Sequence, residues 1–122
     1  WGAPAATIYL RPQRYTKEFV DREEYFTLAF FGEEQRKALT LCGSKSGRDV
    51  DKVKECGFTV AGAACGAPYF EEARLVLVCK KTYWQDMDPT HFLDGELDGK
   101  WYPERDYHRI FIGEIVEVLK KN

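Results

Sequence analysis

The sequence predicts a mainly β domain, a mostly antiparallel barrel with flanking helices on its outside. Three observations carry this. Two runs rich in β-branched and aromatic residues, 73–84 and 108–121, are each longer than an average strand. The helical segments between strands are short, so few parallel crossovers are available. The 122 residues are 44% hydrophobic and 15% aromatic, which suits one core in a single domain, residues 1–122.

The elements follow in order. Residues 5–10, running into Arg11, are β-branched and aromatic and read as a strand. RPQRY then turns, and Thr16 is placed to cap a helix over 16–24, opened by Lys17 and Glu18. YFTLAFF (25–31) is almost continuously apolar, as in a strand covered on both faces or at a barrel closure, and Gly32 ends it. Residues 33–43 read as a helix with acids first and Gly43 last. SKSGRD (44–49) is a polar loop, with Asp49 as cap for a short helix over 50–56 that Gly57 closes.

The small-residue stretch 61–68 is a loop or hairpin, with a possible fifth strand over 68–72. Residues 73–84 form a long strand. Residues 85–106 are mostly loop, broken by a helical turn that Asp88 caps and Pro89 begins. Residues 108–121 are the last strand, and Gly113 within it marks a bulge or a close backbone approach.

The charge balance narrows function. Eighteen basic residues against twenty acidic give a net charge of −2, which argues against broad nucleic-acid binding and makes any basic cluster a local site. The four cysteines form no CxxC pair and there are two histidines, so a zinc site is not expected. Cys79, inside RLVLVCKK, reads as a small buried hydrophobe. No signal peptide or membrane span is visible, which leads to the expectation of a cytoplasmic protein with free thiols; spacing alone leaves disulfides open.

Two stretches suit an anion. In RPQRYTKE (11–18), Arg11 and Arg14 offer planar forks of N–H donors, Pro12 stiffens the turn around Gln13 and Tyr15, and Thr16 and Lys17 stand at a helix start. In GSKSGRDVDK (43–52), Ser46, Gly47, Arg48 and Asp49 join hydroxyls, a flexible backbone and a cation ahead of a second helix. Each has an ordinary alternative: a solvated basic turn, or a loop with a cap. Neither a Walker loop nor GxGxxG is present. Tyr83, Trp84, Trp101 and Tyr102 can stack on a ring or simply cover the core or a subunit contact. Asp86, Asp88, Asp94, Glu96 and Asp98 read as solvated.

The strings ATIYLRPQRYTKEFV, LCGSKSGRDVDKVKECGFT, YFEEARLVLVCKK and YHRIFIGEIVEVL, in this order, resemble the flavin reductase-like family, and within it the flavoredoxin-type branch. The resemblance covers nearly the whole chain. It implies an FMN-binding split barrel of six antiparallel strands, assembled as a homodimer. It implies that Arg11, Gln13, Arg14, Tyr15, Thr16 and Lys17 lie at the FMN phosphate and ribityl chain, with Ser46, Gly47, Arg48 and Asp49 also near the cofactor. His108 matches a family histidine close to the flavin; a histidine bonded to a strand neighbour is the plainer alternative. Relatives carry a further N-terminal segment with a Thr-Ala-Ser-Trp-like motif against the flavin ring, which this sequence lacks.

The reaction implied is transfer of hydride from NAD(P)H through FMN to an acceptor: free flavin, ferric iron or a redox partner protein. No acid–base side chain is required for this, in keeping with the absence of a catalytic triad or nucleophile elbow. A non-enzymatic FMN electron carrier or sensor, or an apo structural domain, are the competing readings.

Overall fold

A computed structural model of the chain describes residues 1–44 and 51–121. In chain order the elements are β1 (Ala5–Leu10), α1 (Tyr15–Arg22), β2 (Tyr25–Phe30), α2 (Arg36–Ser44), α3 (Lys52–Cys56), β3 (Val60–Gly62), β4 (Pro68–Phe70), β5 (Leu75–Asp86), α4 (Gly95–Trp101) and β6 (Arg109–Lys120). Four strands make one antiparallel sheet in the spatial order β1-β6-β5-β2, and β3 and β4 form a separate hairpin. The sheet curls into a half-barrel with the helices around it.

Both faces of β5 are covered over its first half, 75–79, which is why that stretch is apolar without alternation. Leu77 and Cys79 face one cluster, where Val20 of α1 packs with Phe26 and Phe111. Val76 and Val78 face the other, where Ala67 and Tyr69 of the hairpin region cover them. β2 divides in the same way: Phe26 and Leu28 serve the first cluster, Tyr25 and Ala29 the second. Its unbroken apolar run therefore reflects two covered faces, although β2 lies at the edge of the described sheet.

Gly113 is a close approach. A Cβ there would stand 2.8 Å from Phe26 Cε1 and 2.9 Å from the Cys79 Cβ. The register slips twice beside it: β6 carries the extra residue Val116 opposite Val78 and Cys79, and β5 carries Thr82 between Lys81 and Tyr83, where Thr82 Oγ1 donates to the Ile112 carbonyl at 3.0 Å.

Four local expectations are corrected. Helix α1 starts at Tyr15, with Arg14 in extended conformation as its cap residue and no side-chain capping bond, so Thr16 lies inside the first turn and is not the cap. The segment 33–43 divides into a 3-10 turn (Glu33–Gln35) and α2. Helix α3 is capped by Asp51, whose carboxylate accepts from the Lys54 N–H at 3.2 Å, and Gly57 closes it in the left-handed region at φ 70°. Asp49 lies outside the described residues. Finally, 85–106 is not mostly loop: β5 runs on to Asp86, a 3-10 turn (Pro89–His91) follows with Asp88 as its cap, and α4 follows that, capped by Asp94.

Candidate functional site

β1 ends opposite the start of β6, Leu10 facing Arg109. This pairing brings the RPQR turn beside His108. The turn closes when the Arg14 N–H donates to the Arg11 carbonyl at 3.1 Å, with Pro12 fixing φ at the position where a type I or II turn favours proline. The chain then enters α1, and the Lys17 N–H bonds back to the Arg14 carbonyl at 3.1 Å.

The two arginines of this turn have different surroundings. Arg11 is half-buried. It donates from Nη1 to Asp106 Oδ2 at 3.0 Å and from Nη2 to the Trp101 carbonyl at 2.8 Å, and its guanidinium lies 4.7 Å above the Tyr102 ring. The Gln13 amide donates to the same Asp106 oxygen. These bonds, that from Gln13 foremost, hold the Asp106 carboxyl below the usual carboxylate range. Asp106 Oδ1 is buried with no hydrogen-bond partner among the described residues. Arg14 is exposed, and no ion pair or hydrogen bond engages its guanidinium among the described residues. Thr16 is exposed one residue into α1, and Tyr15 is half-buried with its ring edge-on to Phe19 at 4.9 Å.

Lys17 belongs to another cluster. Its ammonium pairs with Asp21 at 2.5 Å, and Asp21 also receives Arg109 at 3.1 Å. Arg109 in turn grips both oxygens of Asp86, at 2.6 and 2.9 Å, and stacks 4.2 Å from the Trp84 ring. The bidentate bond to Asp86 leads the effects that push the Arg109 guanidinium still further into its charged form. Asp86, read as solvated, is therefore an ion-pair partner. Tyr107 OH donates to another of those acids, Asp98, at 2.7 Å.

His108 sits at the inner side of the turn. Its Nδ1 is 2.5 Å from the Tyr102 hydroxyl, and the two rings meet edge to face at 5.5 Å. Tyr9 approaches edge-on from β1 at 6.5 Å. Burial, and then the positive charges of Arg11 and Arg14, push the imidazole below its ordinary value, with Asp106 opposing. These surroundings favour the uncharged ring. The same hydroxyl is 3.6 Å from the Met87 sulfur, and the direction of its bond with Nδ1 follows the imidazole tautomer. Met87 also lines a cleft of about 210 Å³, together with Gln85, Asp88, His91, Phe92 and Ile110.

The structure thus brings Arg11, Gln13, Arg14, Tyr15, Thr16 and His108 to one corner and turns Lys17 toward Asp21. Ser46, Gly47, Arg48 and Asp49 lie outside the described residues. Asp106 and Tyr102 are the members of the corner that sequence reasoning did not assign to it. Asp106 is 95 positions from Arg11, and no local pattern announces the pair.

The donor set suits a phosphate. The Asp106 carboxylate is neutralised by Arg11 and accepts from the Gln13 amide, while Arg14, the Thr16 hydroxyl and the positive end of α1, whose first turn also carries Glu18, remain toward solvent. Fold and corner together define a curled antiparallel barrel with an anion-suited turn at the mouth of its first described strand. The chain belongs to the flavin reductase like domain family, which matches residues 3–122.

No curated protein matches it. Among solved structures it is similar to flavoredoxin from Methanosarcina acetivorans, at 22% identity and a TM-score of 0.75, over 100% of this chain and 55% of that one. It is similar to an FMN-binding protein from Thermus thermophilus, solved with bound p-hydroxybenzaldehyde, at 22% identity and 0.73, over 98% and 57%. It is also similar to the Streptomyces globisporus NADH:FAD oxidoreductase, solved with NAD and FAD fragments, at 18% identity and 0.69, over 98% and 59%. The fold is the split barrel. The chain spans a little over half the length of these structures.

Proposed function

We propose that the chain binds FMN through the RPQRYT corner and serves as an NAD(P)H-dependent oxidoreductase. The observation that carries the reading is Arg14, an exposed guanidinium without a protein partner among the described residues. It stands at the start of α1 in a chain of the flavin reductase family. Arg14 and Thr16 would hold the phosphate, with Tyr15 along the ribityl chain and Ser46, Gly47, Arg48 and Asp49 supplying a second group of contacts. Arg11 and Gln13 act by fixing Asp106 and hence the shape of the turn. Lys17 contributes its charge from the Asp21 pair rather than direct contact.

When bound, the flavin supplies the capacity to accept hydride from reduced nicotinamide and to pass electrons on. His108, oriented by its bond to Tyr102 in surroundings that favour the uncharged ring, places its Nε2 edge beside the corner. The similarity to an NADH:FAD oxidoreductase supports the nicotinamide donor. Free flavin, ferric iron and a redox partner protein are the acceptor classes proposed, with a homodimer as the working assembly and the cytoplasm as its location. Among the described residues no helix is long and apolar enough to cross a membrane.

Titrating the purified protein with FMN, and following intrinsic fluorescence and the flavin visible band, tests the reading. Saturable one-to-one binding followed by NAD(P)H oxidation supports it. Binding without NAD(P)H oxidation would move the reading to an electron carrier, and no binding would end it.

A further inference from the structure

We infer that Cys42 and Cys56 are a two-electron thiol pair that closes to a reversible disulfide, stapling the end of α2 to the end of α3. Their Sγ atoms lie 3.8 Å apart, across 14 positions of sequence, and both are half-buried thiols. That separation is van der Waals contact between sulfurs, so a bond of about 2.05 Å needs an approach on the order of 2 Å.

The local structure already holds the partners together. Lys52 Nζ donates to the Cys42 carbonyl at 2.6 Å, tying the first turn of α3 to the last turn of α2. The Cys56 thiol is directed to the Ala38 carbonyl, one turn back along α2, at 3.6 Å. Gly57 ends α3 in the left-handed region, and the Phe58 N–H bonds back to the Val53 carbonyl, so Cys56 sits on a fixed helix end. The other two cysteines differ. Cys79 is fully buried in the sheet core, and Cys65 is exposed on the β3–β4 turn.

Burial, and then the neighbouring Cys42 thiol, raise the Cys56 thiol above its ordinary value, with the Lys52 ammonium opposing. The thiol form slows attack on an oxidant, and closing the pair removes two electrons, which an oxidant must accept. The oxidants meant are a peroxide or a low-molecular-weight disulfide. With hydrogen peroxide, one thiolate is oxidised to a sulfenic acid as peroxide is reduced to water. The second thiol then displaces a further water to form the S–S bond. With oxidised glutathione, two exchanges transfer the same two electrons and release two reduced glutathiones. The inference does not depend on flavin binding.

The test uses the whole chain, treated separately with hydrogen peroxide and with oxidised glutathione, blocked with iodoacetamide, digested with trypsin and weighed. The expected product joins residues 38–45 to residues 55–74, about 2 Da lighter than the two thiol peptides together, and dithiothreitol separates it. Residues 55–74 also contain Cys65, so the link must persist in Cys65→Ser and vanish in both Cys42→Ser and Cys56→Ser. The oxidised wild type should melt about 5–15 °C higher than the reduced form, a gain reversed by reductant and absent from Cys42→Ser. Two freely alkylated thiols after oxidation would overturn the inference. So would a link that depends on Cys65, or accumulation of only a glutathione adduct or a sulfinic acid.

Discussion

Arg11 Nη1 lies 3.0 Å from Asp106 Oδ2, while Arg14, three residues on, has no such partner among the described residues. Two arginines that look interchangeable in RPQR thus divide the work. One fastens the end of β1 to the segment before β6, and the other is left toward solvent.

This division predicts opposite outcomes for two mutants. Arg14→Ala should weaken FMN binding by about 1.5–3 kcal/mol, the range for hydrogen bonds to a charged group, with Tm within about 1 °C of wild type. Arg11→Ala should lower Tm by about 5 °C, because it leaves the Asp106 carboxylate without its cation and uncovers the Tyr102 ring. FMN titration and thermal melts of the two variants check both. Equal FMN losses with equal melts would refute the division.

Thr16→Val separates capping from binding. Thr16 lies within the first turn of α1 and its side chain caps nothing, so its loss should cost under about 0.5 kcal/mol of stability. Helix α3, by contrast, has a cap with a side-chain bond, and Asp51→Ala should cost about 0.5–2 kcal/mol. Urea unfolding curves of the two variants give the comparison. A larger loss for Thr16→Val than for Asp51→Ala would contradict the helix start described here.

Much of this arrangement was legible in the sequence, for identifiable reasons. The strands were readable because β-branched and aromatic runs such as LVLVC reflect covered faces, and Asp88-Pro89 announced its turn. The start of α1 was not: a proline-stiffened turn delivers Tyr15 already helical, so threonine's capping preference was overridden by backbone geometry. α4 was missed because GELDGKW carries two glycines and little apolar periodicity; the Asp94 cap was its only local mark. At the site, the basic turn was visible as residue types. The Arg11–Asp106 and Tyr102–His108 bonds were not, since they arise only when β1 pairs with β6 and the 85–106 segment folds over the turn.

His108 gives a pH dependence whose sign is fixed by the direction of its shift. Burial, and then the Arg11 and Arg14 charges, lower its folded value, so the unfolded chain binds the proton more readily. The stability from keeping the ring neutral is present in full above the unfolded value of about 6.5, and is lost as pH falls from there through the folded value. Melts taken between pH 7.5 and 5 (a range bracketing about 6.5) should show Tm declining, and His108→Gln should decline less. A His108→Gln variant as pH-sensitive as wild type would assign the slope elsewhere.

Gly113 tests the packing that places β6 beside the corner. A methyl group there would stand 2.8 Å from Phe26 Cε1 and 2.9 Å from the Cys79 Cβ, both in the cluster that also holds Val20 and Phe111. Neither neighbour is the loose end of a flexible chain, so the sheet must shift to admit it. Gly113→Ala should therefore cost about 1–3 kcal/mol, as overpacking does, despite the usual penalty for glycine in a strand. The pair Gly113→Ala with Phe26→Leu should recover part of that loss, because the smaller side chain vacates the contact. Chemical denaturation of the single and double variants measures it. A Gly113→Ala protein as stable as wild type would mean that β6 does not approach β2 and β5 as closely as this packing requires.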